Sequence, residues 1–346
     1  MLSARAHQLV RDLHTPDLRI YWTDMLLTAA VAWSAFAAAI LLKSGSWPMW
    51  AALVVSVFAM YRGLCFLHEI AHLRAGVIRR LETTWNFLFG MPLLLPSFMY
   101  VGVHQYHHSL ATYGTDNDPE YMPFAGKPLM VVTFFLHSVL IPAFLLVRFF
   151  LLVPLSWLIP ALHQWLCVHF SALSMNTRFR RELTPELSRL IRRRELLTVG
   201  LFTLFSGLCF ASHIGLHALV IWYTVSALAA ALNTLRTLGA HRYTSDGRPL
   251  GRDEQLLDSI DTPGRFWTGL WAPVGLRYHA LHHYFPGIPY HNLGKAYRAL
   301  HAGLPGDAFY RLVTSPSLTL SLKVLWLGES DTARAPECSS DQRNSE

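Results

Sequence analysis

Leu67-His68-Glu69-Ile70-Ala71-His72 sets two imidazoles four positions apart beside a carboxylate, at the end of a long apolar run. On a helix, positions i and i+4 share a face. Both rings can therefore meet one metal ion, or one side of a metal cluster. His-Glu-x-x-His by itself is also the motif of zinc peptidases, where the glutamate is the general base. Two further clusters change that reading. His104-Gln105-Tyr106-His107-His108 and His279-Ala280-Leu281-His282-His283 each carry histidines at i, i+3 and i+4, again on one helix face. Together the three clusters hold more imidazole than one zinc ion, which takes about four ligands, can use.

The surrounding composition is that of a membrane protein. Of 346 residues, 52 % are hydrophobic and 15 % charged, with a mean hydropathy of +0.29. Soluble domains carry about a quarter charged residues. The net charge of +7 fits basic residues beside membrane spans better than a nucleic-acid partner. Cys65, Cys167, Cys209 and Cys338 show no C-x-x-C spacing, which excludes a disulfide framework and an iron–sulfur ligand set. The first twenty residues are polar, so no cleavable signal peptide is expected and the N-terminus is expected in the cytosol.

Four apolar runs, 21–43, 47–67, 196–212 and 214–235, are each close to the ~20 residues that cross a bilayer. They pair as two hairpins, the first turned by Lys43-Ser44-Gly45-Ser46-Trp47-Pro48. The expected fold is an all-α integral membrane protein of about four transmembrane helices. A cytosolic helical cap, with boxes at 68–108 and 241–283, would hold a histidine-rich dimetal site. Residues 1–330 read as one domain and 331–346 as a disordered polar tail. The stretch 85–103 contains Pro92 and Pro96 and is expected to dip in and return to the same face. The stretch 128–170, broken by Pro142, Pro154 and Pro160, fits either a buried hairpin or interfacial helices. Arg74, Arg79 and Arg80, and the arginines between 178 and 194, mark the cytosolic side.

Nitrogen-rich ligation suits a redox ion better than a structural or hydrolytic zinc. Two such ions facing each other could handle the electrons that O2 cleavage needs and attack an unactivated C–H bond of a lipid chain. His241, just past the last run, is a ninth ligand candidate. A metal-bound imidazole usually donates its other N–H to a carboxylate. Glu69, Asp116, Asp118 and Asp261 are the candidates for that role.

The three boxes, in their order and spacing, resemble the membrane fatty acid desaturase and hydroxylase superfamily. The stretch from His68 through Trp85-Asn86-Phe87-Leu88-Phe89-Gly90 to His108 is most similar to its sphingolipid-type desaturases. Tyr278-His279-Ala280-Leu281-His282-His283, followed by Phe285-Pro286 and Pro289, resembles the family's last box. The resemblance implies two iron ions held by His68, His72, His104, His107, His108, His279, His282 and His283, with His241 at the place of the family's additional histidine. It implies O2 as co-substrate, an acyl or sphingoid lipid as substrate, and a separate electron donor, a ferredoxin or small cytochrome with its reductase. The expected reaction is desaturation; a hydroxylase or ketolase on the same scaffold is the alternative. The expected location is a bacterial inner membrane, with the active site in the cytosol.

Overall fold

Asp17 and Ser46 start the first two long helices. The Asp17 carboxylate accepts the Arg19 amide at 2.9 Å, and the Ser46 hydroxyl accepts the Met49 amide at 3.5 Å, with Pro48 in the first turn. The computed structural model describes residues 4–73, 79–306 and 308–328; Arg74, Cys338 and the tail lie outside the described residues. Helix α1 (Leu18–Leu41) and α2 (Trp47–His72) form a hairpin. The chain continues through α3 (His104–His108), α4 (Pro128–Val147), α5 (Pro160–Phe170), α6 (Pro185–Ala211) and α7 (Gly215–Leu238). Shorter helices follow, among them α8 (Arg252–Asp258), α9 (His279–Tyr284) and α10 (Tyr290–Gly303). No strand is formed among the described residues, only isolated bridges such as His241 with Ser259.

Among the described residues, five helices are long and apolar enough to cross a membrane, against about four expected. The fifth, Pro128–Leu158, occupies the stretch whose sequence fitted two arrangements. It passes through a π-helical turn at Arg148–Leu152. Beyond that turn its contacts with α6 run in reverse order: Arg148 with Glu195, Ser156 with Arg192, His163 with Ser188. The chain thus packs first along α7 and then against α6, and the long helix ends at the extended backbone of Ile159. Leu27, Leu129, Leu136 and Leu204 are exposed on the outside of the bundle, which is the surface a lipid environment requires. The chain is a multi-pass membrane protein.

The segment 85–103 holds no helix long enough to cross. A π-helical turn, Asn86–Gly90, leads into tight turns packed in the main core. Two of its carbonyls are covered by indoles from the long helices: Trp33 Nε1 donates to Leu88 O at 2.8 Å and Trp222 Nε1 to Pro92 O at 2.9 Å. Trp85 Nε1 in turn donates to Gly63 O at 2.8 Å. This close approach needs glycine at 63, because a Cβ there would fall 2.1 Å from the Phe89 ring. The segment therefore turns within the bundle and delivers α3 back beside the end of α2.

Candidate metal centre

The ends of α2 and α7 and the short helices α3 and α9 meet at one end of the bundle. There the nine histidines singled out from the sequence fall into two groups, His68, His72, His104, His108 and His282, and His107, His241, His279 and His283. Within each group the ligand atoms lie within 4.8 Å of one another. Neighbouring Nε2 atoms are closer: 2.9 Å for His72 with His282, 3.0 Å for His104 with His108, 2.7 Å for His241 with His279, and 3.1 Å for His279 with His283. Ligands at ~2.0–2.1 Å from one ion stand roughly 2.9–3.3 Å apart along a polyhedron edge, so the spacing fits metal binding. The stacked rings of His108 and His283, 4.3 Å apart, join the two groups.

The donor set fits as well. His68 is buried, and neither of its ring nitrogens has a hydrogen-bond partner. A buried imidazole with no partner is unfavourable unless another ligand supplies one. Burial, reinforced by neighbouring imidazoles, pushes His104, His108, His279, His282 and His283 well below the ordinary imidazole range, and burial lowers His241 to about 4. Neutral imidazole is the form that ligates. Burial also disfavours the charge on His107, but Asp118 beside it holds this ring above its usual value.

Carboxylates and phenols fix the rings from behind. His107 Nδ1 lies 3.0 Å from both oxygens of Asp118, which also accept the Gly114 and Glu120 amides. His104 Nδ1 lies 2.6 Å from Glu120 Oε1, with the Tyr100 hydroxyl 2.9 Å away. His241 Nδ1 reaches the Tyr113 hydroxyl at 2.9 Å, and Tyr113 donates to Asp258 at 2.8 Å. The other side of Asp258 accepts from Tyr121 and Thr244.

Of the four acidic residues expected behind the histidines, Asp118 is there and the other three act differently. Asp116 is exposed and pairs with Arg178 at 2.9 Å; the turn after Thr115 aims it outward. Asp261 touches no imidazole. It accepts the Leu281 amide at 3.1 Å and the Tyr310 hydroxyl at 2.5 Å, and so clamps α9 in place. Glu69 Oε1 is 3.8 Å from His68 Nδ1, beyond a hydrogen bond. Its other oxygen accepts the Tyr21 hydroxyl at 2.8 Å and the Tyr290 amide at 3.0 Å, tying α1, α2 and α10 together. Glu120, Asp258, Tyr100 and Tyr113 were missed by the sequence reading. The bridge between His241 and Ser259, which seats Asp258 behind His241, has no signature in local spacing. Among the arginines read as a surface marker, Arg181 is buried and donates to the carbonyls of Phe98, Ser171 and Val101.

A cavity of about 520 Å³ runs from the centre into the bundle, bordered by His68, Tyr100 and Glu120 at one end and by Phe134, Ile141 and Leu145 along α4. The size and apolar lining suit a lipid chain.

A model of the fatty acid desaturase family matches residues 44–314. The chain belongs to that family. The desaturase-family chain is 38 % identical over 323 residues to a ceramide hydroxylase of Caulobacter vibrioides (strain NA1000 / CB15N), covering 92 % of this chain and 91 % of the relative. No solved structure matches it. This family member is a membrane oxidoreductase of the desaturase and hydroxylase superfamily, with a sphingolipid-modifying relative.

Proposed function

We propose that this protein is an O2-dependent lipid hydroxylase that inserts oxygen into a C–H bond of a ceramide or closely related N-acyl lipid. The observation that carries hydroxylation and the lipid class is the 38 % identity, over nine-tenths of both chains, to a ceramide hydroxylase. Two iron ions are the proposed cofactor, one held by His68, His72, His104, His108 and His282 and the other by His107, His241, His279 and His283. Iron, when bound, supplies the redox chemistry that activates O2 and removes hydrogen from carbon.

The chain's own residues do the rest. Glu120, Asp118 and the Tyr113–Asp258 pair hold the Nδ1 protons of His104, His107 and His241, which keeps each Nε2 free for metal. The cavity admits a chain end-on to His68 and keeps bulk water away from the reacting carbon. Overall, one oxygen atom enters the C–H bond and the other leaves as water, consuming two electrons and two protons. These electrons are proposed to come from a separate protein, a ferredoxin or small cytochrome. The exposed Arg180, Arg192 and Arg193 on the same side as the histidines suit an acidic donor and a cytosolic orientation.

Desaturation of the same lipid is the second reading, favoured by the family match. It starts from the same hydrogen removal and differs in losing a second hydrogen in place of gaining oxygen. Expression in a ceramide-making host, with lipid mass analysis under air and under nitrogen, tests both. A product heavier by one oxygen, formed only in air, is expected. A product lighter by two hydrogens favours the second reading, and unchanged ceramides under air sink both.

A further inference from the structure

Two arginines in the apolar helices are neutralised where they stand. Arg62 Nη2 holds both oxygens of Asp24 at 2.7 and 2.6 Å, and Arg148 Nη2 holds Glu195 at 2.6 Å. Arg236, in the last turn of α7, is different. It forms no ion pair among the described residues. Its Nη2 donates to Asn233 Oδ1 at 3.0 Å, while its buried Nε has no acceptor at all. The Tyr61 hydroxyl, which donates to Trp271 O at 2.7 Å, accepts from Arg236 as a neutral group and brings it no opposite charge. Arg236 and Asn233 both border the cavity that ends on His68.

An enclosed guanidinium outside any direct ion pair is unfavourable and, within a membrane protein, is a mark of function. A purely hydrocarbon guest would leave it unsatisfied. Glu120 borders the same cavity, close enough for its charge and that of Arg236 to interact, yet no ion pair joins them. The space therefore offers a strong donor on one wall and a carboxylate on another. A neutral group with both an acceptor and donors matches this pair. An anionic carboxylate or phosphate would meet Glu120 unfavourably.

We propose that Arg236, anchored by Asn233, is the positioning residue that binds an oxygen of the lipid's amide and hydroxyl junction and so sets which carbon lies against the histidine centre. The assignment rests on the lipid hydroxylase reading for its substrate, but its test can be separated from that reading. Its bond to the lipid is a charge-assisted one, the stronger kind of hydrogen bond.

The test uses the full chain, purified with metal in detergent, as wild type, Arg236→Met, Arg236→Lys and Asn233→Leu. N-hexanoyl sphinganine, palmitic acid and hexadecane are titrated in the same micelles, with intrinsic tryptophan fluorescence reporting binding. Wild type is expected to bind the ceramide at least about tenfold more tightly than hexadecane. Arg236→Met is expected to abolish that preference while keeping hexadecane binding, metal content and melting temperature, since removing an unpaired buried charge does not weaken a fold. Arg236→Lys keeps the charge but loses the fork and is expected to retain part of the preference. Asn233→Leu, which removes the anchor alone, is expected to weaken the preference as well. In turnover, Arg236→Met is expected to raise KM more than it lowers kcat and to spread oxidation over neighbouring carbons.

An unchanged ceramide-to-hexadecane ratio in Arg236→Met overturns the proposal. So does tighter binding of palmitic acid than of ceramide by wild type, or loss of metal in Arg236→Met, which would make the residue structural. If wild type binds ceramide in an Arg236-dependent way but oxidises none, the positioning role stands and the hydroxylase reading falls.

Discussion

His72 Nε2 and His282 Nε2 lie 2.9 Å apart although 210 positions separate them in sequence. This contact joins the last turn of α2 to α9, and with them the first box to the third. His282→Ala is expected to empty the group that it shares with His68, His72, His104 and His108 and to abolish oxidation. His291→Ala is the control: its ring is turned away, accepting the Asp17 amide at 3.3 Å, so metal and activity are expected to persist. Metal content by plasma mass spectrometry, set beside product formation, distinguishes the two. Equal metal loss in both variants would show that the histidine-rich end simply unfolds.

Asp116 and Asp118 stand two positions apart with opposite roles. Asp118→Asn leaves the His107 ring without its anionic acceptor and is expected to weaken metal binding by about 10–100-fold. Asp116→Asn, on an exposed ion pair with Arg178, is expected to change metal binding little. Competition with a chelator of known affinity measures both. The pairing fails if Asp116→Asn proves the more harmful.

Gly63 allows α2 to approach the Asn86–Gly90 turn. Gly63→Ala places a methyl group inside the Phe89 ring and is expected to cost about 1–3 kcal/mol through forced repacking. Thermal melting in detergent should fall accordingly, and Phe89→Leu in the same chain should recover part of the loss. A variant as stable as wild type would mean that the turn yields easily.

Acid should destabilise the metal-free protein. His104, His108, His241, His279, His282 and His283, six imidazoles beyond the spanning helices, are pushed by burial below the usual value. The unfolded chain takes up protons at these sites near pH ~6.5, while the folded chain does not until lower pH. The unfolded state thus binds more protons, and stability is lost as pH falls through that window. Glu120 and Asp261, each raised to about 7 by burial, act the other way, as does His107. The six outnumber these three. Melting of chelator-treated protein is expected to drop between pH ~7 and pH ~5; a flat or rising profile would falsify this balance.

Much of the centre was legible in sequence because helical spacing is local. His104, His107 and His108 share a face whatever surrounds them, and so do His279, His282 and His283. What supports the rings was legible only in part: Asp118 stood among the candidates, but which carboxylates face the rings depends on how loops return. Nothing in Thr115-Asp116-Asn117-Asp118 says which aspartate turns inward; the Gly114 and Glu120 amides, both donating to Asp118, decide it. Glu69 sits inside the first motif and invites a chemical role, yet its partners are Tyr21 and the Tyr290 amide, from distant segments. The stretch 128–170 was ambiguous for a related reason. Its course is set by the extended backbone at Ile159, which ends the long helix, and by the Arg148–Glu195 pair, and composition alone records neither.

The division of the nine histidines has a consequence for biosynthesis. One group needs His282 and the other needs His279 and His283, so neither is complete until the ribosome has passed residue 282. A metal ion shared by these histidines would therefore be bound only after the apolar helices have been made, and a chain arrested before that point has no complete histidine group.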